Sequence, residues 1–222
     1  MLSSGKTMLD PKKAEDYQKF RLPNSSFHKA KYDRIMRAVS KRKSLSVLEI
    51  GSGTGVYTRF LLRDFGKVTA VDNDPEMVRE AKILFPRARI MKADATCLPF
   101  RSNSFDVVFG VSVIHHIANR CAVFREAARV LRKGGLAVFC EPNLWNPMTA
   151  MVQFRYCEAG LTRNRLRKHA EKAGLRVIDI GTTLLRSPRL SRFTDRIPGW
   201  RIVERAVEKA NLGVSTFVVA KK

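Results

Sequence analysis

The sequence predicts an α/β protein: a doubly wound, mostly parallel sheet of seven strands, covered by helices on both faces. Three observations predict it. From Leu45 onward, short apolar runs alternate with segments of helical periodicity, the pattern of a sheet buried on both sides. The first run, LSVLEI over 45–50, passes straight into GSGTG, with glycines at 51, 53 and 55. The second run, 67–71, ends in Asp72, roughly 20 residues after the first glycine, where an open α/β sheet places an acid for a ribose hydroxyl. Together these point to a nucleoside-bearing cofactor.

Taken in order, residues 10–43 are polar and basic, and SFHKAKYDRIMRAVSKRK carries Phe27, Ile35, Met36 and Val39 on one side of a helix. Ser25 or Ser26 is its expected cap, after a break at Pro23-Asn24. The first strand leads through the glycines to a helix near 56–65, whose N-terminal N–H groups are expected to face the ligand. The strand at 67–71 precedes a helix near 75–85, with Pro75 in its first turn and Pro86 past its end. A short third strand follows at 89–92 and a fourth at 105–111. The next helix, roughly 119–132, has Asn119 to cap it and Gly134-Gly135 to stop it. Strand five is expected at 136–140, followed by the Pro/Asn-rich joint EPNLWNP and the apolar MTAMVQF. Thr162 caps a helix at about 163–173, Gly174 closes it, and strand six is expected at 175–180. A basic insertion with Pro188 and Pro198, including a helix near 199–211, precedes the last strand at 214–220.

The chain's 222 residues suffice for one domain with a full core, and 45% hydrophobic with 28% charged residues is the balance of a soluble globular protein. No apolar run approaches the roughly 18 residues that cross a bilayer, and MLSSGKTMLDPKKAEDY has no apolar core of the signal-peptide kind. Cys97, Cys121, Cys140 and Cys157 form no CxxC pair, which argues against a zinc site or disulfide framework and for a reducing, cytoplasmic setting. Lys and Arg number 42 against 20 acids, a formal charge of +22. The excess is concentrated at the two ends: 12 basic to 4 acidic residues over 1–43, and 16 to 6 over 151–222. Such a balance suits RNA or an anionic membrane surface; it also serves solubility alone.

A nicotinamide dinucleotide site would place its third glycine at position 56, which is Val56 here. VLEIGSGTG, AVDNDPEM, KADATCLPFRSNSFDVVFGVSVIHHI and EAARVLRKGGLAVFCEPN, in that order and spacing, instead resemble the class I S-adenosylmethionine (SAM)-dependent methyltransferases, especially the branch of small-molecule and quinone-pathway enzymes. The resemblance is close over 45–145 and looser over 160–180. It implies a Rossmann-like sheet with an antiparallel last strand, a basic helical flank or lid at 1–43, and a methyltransferase domain at 44–222 with insertions within 143–160 and 184–212. It also implies SAM as cofactor; no metal is expected, because His115 stands where related O-methyltransferases carry the Glu of a metal-holding Glu/His pair. Glu49 and Gly51 would face its methionine moiety, with Gly53 and Gly55 letting the backbone lie close. Asp72 would accept from both ribose hydroxyls, with Asn73 beside the adenine. Asp94 would accept from the adenine amino group, with Ala95 next to it, and Val111 and Ser112 would line the sulfonium side. Against these stand plainer readings: Asp72 as the acid opening the Asp74-Pro75 turn, and Asp94 as a loop cap. Asp106 reads as a support for strand four, and Cys97 as a buried loop residue.

Methyl transfer from a sulfonium needs positioning and a deprotonated acceptor. His115 and His116, just past strand four, are the candidate bases, since imidazole accepts a proton near neutral pH. His115 is expected to be the more exposed. Position 115 is His, where related O-methyltransferases carry the Glu of a Glu/His pair. Trp145, Met148, Met151 and Phe154 read equally as an apolar acceptor pocket or as helix core. Glu141-Pro142-Asn143 and Thr96-Cys97 do not match base-methylation motifs in order or position. The acceptor is therefore expected to be a small or lipid-like molecule, with the basic flanks resting on a membrane surface. An RNA methyltransferase is the alternative, and a SAM-binding scaffold without chemistry a third.

Overall fold

The strand that sets the architecture is β1, Ser46–Ile50, in a computed structural model that describes residues 26–147, 149–151, 161–183, 198–199, 202, 206–207 and 209–222. Val47 to Ile50 are all buried, Glu49 among them, so β1 is enclosed between two neighbours. Those are β2 (Lys67–Asp72) and β4 (Phe105–Val111), both parallel to it. β3 (Arg89–Lys92) extends the sheet beyond β2, and β5 (Leu131–Pro142) beyond β4, again in parallel. β7 (Ser215–Lys221) inserts antiparallel between β5 and β6 (Arg176–Thr183), giving the order β3-β2-β1-β4-β5-β7-β6. The seven-stranded, mostly parallel sheet with an antiparallel last strand is thus as expected. The strand order reverses between β1 and β4, and the carboxyl ends of those strands open the crevice in which such sheets bind ligands.

Helices cover both faces. On one lie α1 (Ser26–Ile35) and α2 (Thr58–Asp64), burying Tyr32, Ile35, Met36, Leu61 and Phe65 against Val47, Phe109 and Phe217. Tyr32 stacks on Phe60 and donates its hydroxyl to Asp64 at 3.0 Å, and Arg34 lies over the Phe217 ring. On the other face α4 (Arg120–Val130) and α5 (Arg163–Lys172) bury Phe124, Ala127, Leu166 and Ala170 against Val108, Phe139 and Val218. α3 (Pro75–Leu84) covers β2 and β3 through Val78 and Ala81. Each such large apolar side chain contributes about 1.5–3 kcal/mol by leaving water.

The caps follow the sequence. Asp74 accepts from Glu76 N ahead of Pro75, Asn119 from Ala122 N, and Thr162 from Arg165 N. Several boundaries differ from expectation: β5 runs over Leu131–Pro142 and β6 over Arg176–Thr183, where 136–140 and 175–180 were expected. α4 ends at Val130, not near 132, and Gly134-Gly135 lie inside β5 rather than stopping the helix. The fully buried Leu131 pairs with Phe105, which draws the chain into extended form at once. α2 begins at Thr58 instead of 56, after a run of turns over 53–57. The proposed caps Ser25 and Ser26, the Pro23-Asn24 break and Phe27 carry no described side chains. Met148, Phe154, Pro188 and residues 200, 201, 203–205 and 208 of the expected 199–211 helix likewise lie outside the described residues.

Asp106 supports strand four as expected. Its Oδ2 accepts from Ser46 N and Ser46 Oγ, both at 2.8 Å, and from Arg132 Nη1 at 2.7 Å, pinning β4 to β1 and β5. Burial alone would raise its pKa, but the Ser46 donors and the Arg132 cation outweigh that and hold it below the ordinary carboxylate value. A depressed folded pKa gives stability that is present above the unfolded value of about 4 and lost as pH falls through the folded one. Asp106→Ala is expected to cost about 1–3 kcal/mol in urea unfolding at neutral pH, with the difference from the native chain shrinking in acid. An unchanged midpoint at neutral pH would refute the pinning role.

Candidate active site

The crevice at the switch point is floored by the turn after β1. Gly51, Gly53 and Gly55 adopt φ of +68°, +52° and +90°, the left-handed region that side chains with a Cβ avoid. Their reasons for being glycine differ. A Cβ on Gly51 would overlap Val113 Cγ2, and one on Gly55 would overlap the Phe85 ring, whereas one on Gly53 would meet nothing within 4 Å. Only Gly53 therefore leaves bare backbone facing open space; the other two accommodate protein.

Around Gly53 the polar groups converge. Its N–H donates to Asp72 Oδ2 at 2.8 Å, and Asp74 N donates to Asp72 Oδ1 at 3.0 Å. Half-buried Asp72 thus ties the first two βα turns together. Two bonds leave acceptor capacity on its oxygens, since a carboxylate offers about four lone-pair directions. The opening of the Asp74-Pro75 turn and the proposed ribose contact are therefore compatible roles. Ser52, between the glycines, has its hydroxyl buried with no hydrogen-bond partner. Sequence reasoning passed over it, although its place inside GSGTG was a signal. A buried hydroxyl without a partner costs about 1–3 kcal/mol, which a polar ligand in the turn would offset.

Beneath the turn Glu49 is 2% exposed and accepts from Thr58 Oγ1 at 2.5 Å. Burial pushes its pKa up to about 8, with the Asp72 charge adding to the rise and the Thr58 hydroxyl opposing it. At neutral pH the carboxyl in the unliganded protein is therefore mostly neutral, and a cation beside it would favour its ionisation. Asn73 is exposed beside Asp72. Asp94, past β3, is exposed and accepts from Thr96 N and Thr96 Oγ1, both at 2.8 Å, while Ala95 is buried. The cap reading of Asp94 is thus realised, and no described contact links it to the glycine turn. Cys97 is exposed, not buried as expected: the Asp94–Thr96 turn holds that segment at the surface.

The opposite wall is the segment after β4. Val111 is half-buried, and Ser112 is exposed with φ +55°, donating its N–H to Cys140 O at 2.8 Å. A non-glycine residue in that region is a local strain of about 1 kcal/mol or more, of the kind found at ligand sites. A short 3-10 turn, Ile114–His116, carries the two histidines. The expected exposure is reversed: His115 is buried, because its Nδ1 lies 2.5 Å from Glu141 Oε2 inside the protein, and His116 is the exposed ring, packed on His115 with centroids 3.9 Å apart. Glu141, at the end of β5, is fully buried; sequence reasoning did not include it in the site. Trp145 and Met151 are 63% and 68% exposed, so helix core describes neither.

A family model described as "Methyltransferase domain" matches residues 48–139. A Mycobacterium tuberculosis protein named as a probable S-adenosylmethionine-dependent methyltransferase is 34% identical over 116 residues, 52% of this chain and 41% of its own length. The demethylmenaquinone methyltransferase of Tropheryma whipplei is 36% identical over 100 residues, 43% of this chain and 41% of its own. An uncharacterized methyltransferase of Mycobacterium bovis is 32% identical over 139 residues, 60% of this chain and 69% of its own. The chain thus spans about two fifths of the length of the first two relatives. Among solved structures, a chain of the complex between the Haloferax volcanii Trm112 methyltransferase activator and a methyltransferase superposes with a TM-score of 0.73 at 20% identity, covering 98% of this chain and 99% of that one. At that identity the likeness is one of fold.

Because the folded state holds the Glu49 proton from its ordinary value of 4.5 up to about 8, this residue makes stability fall as pH rises through that window. Glu49→Gln is expected to remove that part of the decline, so the variant gains on the native chain from about pH 5 to about pH 9. Urea unfolding across the range checks it; parallel curves would contradict the buried, protonated carboxyl.

Proposed function

The chain belongs to the class I S-adenosylmethionine-dependent methyltransferase family, and on that premise we propose that it transfers a methyl group to a small, lipid-like acceptor by in-line displacement. The observation that carries the cofactor side is the open backbone at Gly53, set between the unpartnered Ser52 hydroxyl and the Asp72 carboxylate. These residues fit a ligand with a ribose at one end and a zwitterionic amino acid at the other. Asp72 would hold the ribose, Ser52 and the bare Gly53 backbone the amino-acid portion, and Glu49 would face its ammonium. Asn73, Asp94 and Ala95 would flank the adenine, and Val111 and Ser112 the sulfur. SAM, when bound, supplies a methyl group on a sulfonium whose departure as a neutral thioether drives the transfer. The protein's part is to orient, to exclude water and to accept the acceptor's proton. Exposed His116 would take that proton, with the His115 ring packed against its own.

The lipid-like acceptor is supported by the likeness to a demethylmenaquinone methyltransferase and by the surface past β5. Trp145 and Met151 are exposed there with Leu212, and Asn146 Nδ2 donates to Leu212 O at 2.7 Å, tying the two segments into one apolar rim. In this reading the enzyme works in the cytoplasm and rests on an anionic membrane surface, where its acceptor dissolves. A second reading, RNA methylation, has in its favour the solvent side of α5, where Arg165, Arg167, Lys168 and Lys172 are exposed with one acid, Glu171.

Labelled methyl from SAM, incubated with the chain and fractionated lipid, RNA, protein and metabolite pools, separates these readings. Incorporation into lipid with flotation on anionic liposomes supports the first. Incorporation into RNA, with binding that weakens steeply with salt, replaces it with the second. In the same preparations Asp72→Ala is expected to weaken SAM binding about ten- to hundredfold; unchanged affinity by calorimetry would remove Asp72 from the cofactor site.

A further inference from the structure

The site contains a buried carboxylate with no part in holding the cofactor or moving the proton. Glu141 Oε1 accepts from Val113 N at 3.1 Å and Ile114 N at 3.0 Å. Its Oε2 accepts from His115 N at 3.3 Å and meets His115 Nδ1 at 2.5 Å. One fully buried side chain thus holds three successive backbone N–H groups and the ring of the third residue. A carboxylate offers about four acceptor directions, and all are used within the segment after β4. The same segment is gripped from two other sides: Ser112 N donates to Cys140 O, and Arg120 Nη2 reaches His115 O at 3.4 Å.

The held segment reaches the glycine turn through Val113. Val113, whose N–H Glu141 holds, puts Cγ2 and Cβ into the volume that a Cβ on Gly51 would need. Gly51 is thereby backed by Val113 on one side, while its N–H and that of Ser52 both donate to Val71 O, at 2.8 and 3.1 Å, on the other. Gly53, the open position, is two residues further on. A shift of Val113 would free Gly51 to relax and change the aim of Ser52 and Gly53.

We propose that Glu141 is a positioning residue for cofactor binding: by fixing Val113 against Gly51 it holds the glycine turn in its open, ligand-ready form. The inference rests on the reading that this turn takes SAM. Bidirectional coupling follows from the contact, because anything that moves the 112–116 segment also moves the turn. Seating an acceptor beside His116 therefore alters cofactor affinity, and cofactor alters acceptor affinity, by the same factor.

The test is a double-mutant cycle with S-adenosylhomocysteine as probe, its Kd measured by calorimetry and Tm recorded beside it. Failure of the native chain to bind the probe would sink the cofactor reading itself. With native binding present, Glu141→Gln is expected to raise Kd about tenfold, since misplacement of a positioned group by a fraction of an ångström is felt at that scale. Val113→Ala is expected to raise Kd by a comparable factor with little change in Tm. The double variant should be scarcely worse than either alone, because both changes break one chain of contacts. Additive effects, or a folded Glu141→Gln protein that binds as the native one does while its Tm falls, would reduce Glu141 to a structural strut and overturn the proposal. Should Glu141→Gln not fold, Val113→Ala decides: unchanged affinity overturns it, and weakened affinity with Tm retained upholds it.

Discussion

The rest of the structure depends on the bend where β1 leaves the sheet. At Ile50 the chain is fully buried, and one residue later it turns by a left-handed φ that only glycine adopts cheaply. That turn is not free-standing. Val113 fills the space beside Gly51, Phe85 the space beside Gly55, and the Asp72 carboxylate holds Gly53 by its N–H. The three glycines therefore admit two protein side chains and one patch of open backbone. Because β1 is an interior strand, neighbours on both sides, β2 and β4, contribute to fixing the same few atoms.

Acidic side chains do much of that fixing. Asp106 joins β4 to β1 and β5 at the far end of the sheet, Asp72 joins the first and second βα turns, and Glu141 joins β5 to the segment after β4. A carboxylate suits this role because it accepts several N–H bonds at once, and bonds to a charged acceptor are stronger than neutral ones. Glu49 is the exception. It has one hydroxyl donor, is almost completely buried, and has its pKa raised to about 8. A buried acid kept neutral in this way is poised to respond to a positive charge arriving beside it.

The alternation of strands and helices was legible in the sequence because strand-length apolar runs and capped helices are local signals: Asn119 and Thr162 cap where they were expected, and Pro75 opens its helix. The end of α4 was not, because Gly134-Gly135 is a strong local stop signal, while the burial of Leu131 against Phe105 is a tertiary effect. The glycine turn and Asp72 were legible from type and spacing. Which glycine faces open space was not, since that depends on Val113 and Phe85, which lie far along the chain. His115 and His116 show the same limit. Adjacent residues of one type are separated only by the partner each meets, and Glu141, 26 positions on, takes His115 inside. Ser52 went unnoticed because serine between glycines reads as loop filler until its hydroxyl is found buried and unpartnered.

Beyond β5, Trp145, Met151 and Leu212 are each exposed, and His116 stands exposed on the segment that Glu141 holds. The central claim is that the bend after β1 is where an adenosyl sulfonium cofactor lies. Amide chemical-shift mapping of the native chain titrated with S-adenosylhomocysteine tests it most directly. The account predicts the largest changes at Gly51, Ser52 and Gly53, with Asp72, Asn73 and Ser112 following. Changes confined elsewhere, or the same pattern produced by a nicotinamide dinucleotide and not by S-adenosylhomocysteine, would contradict it.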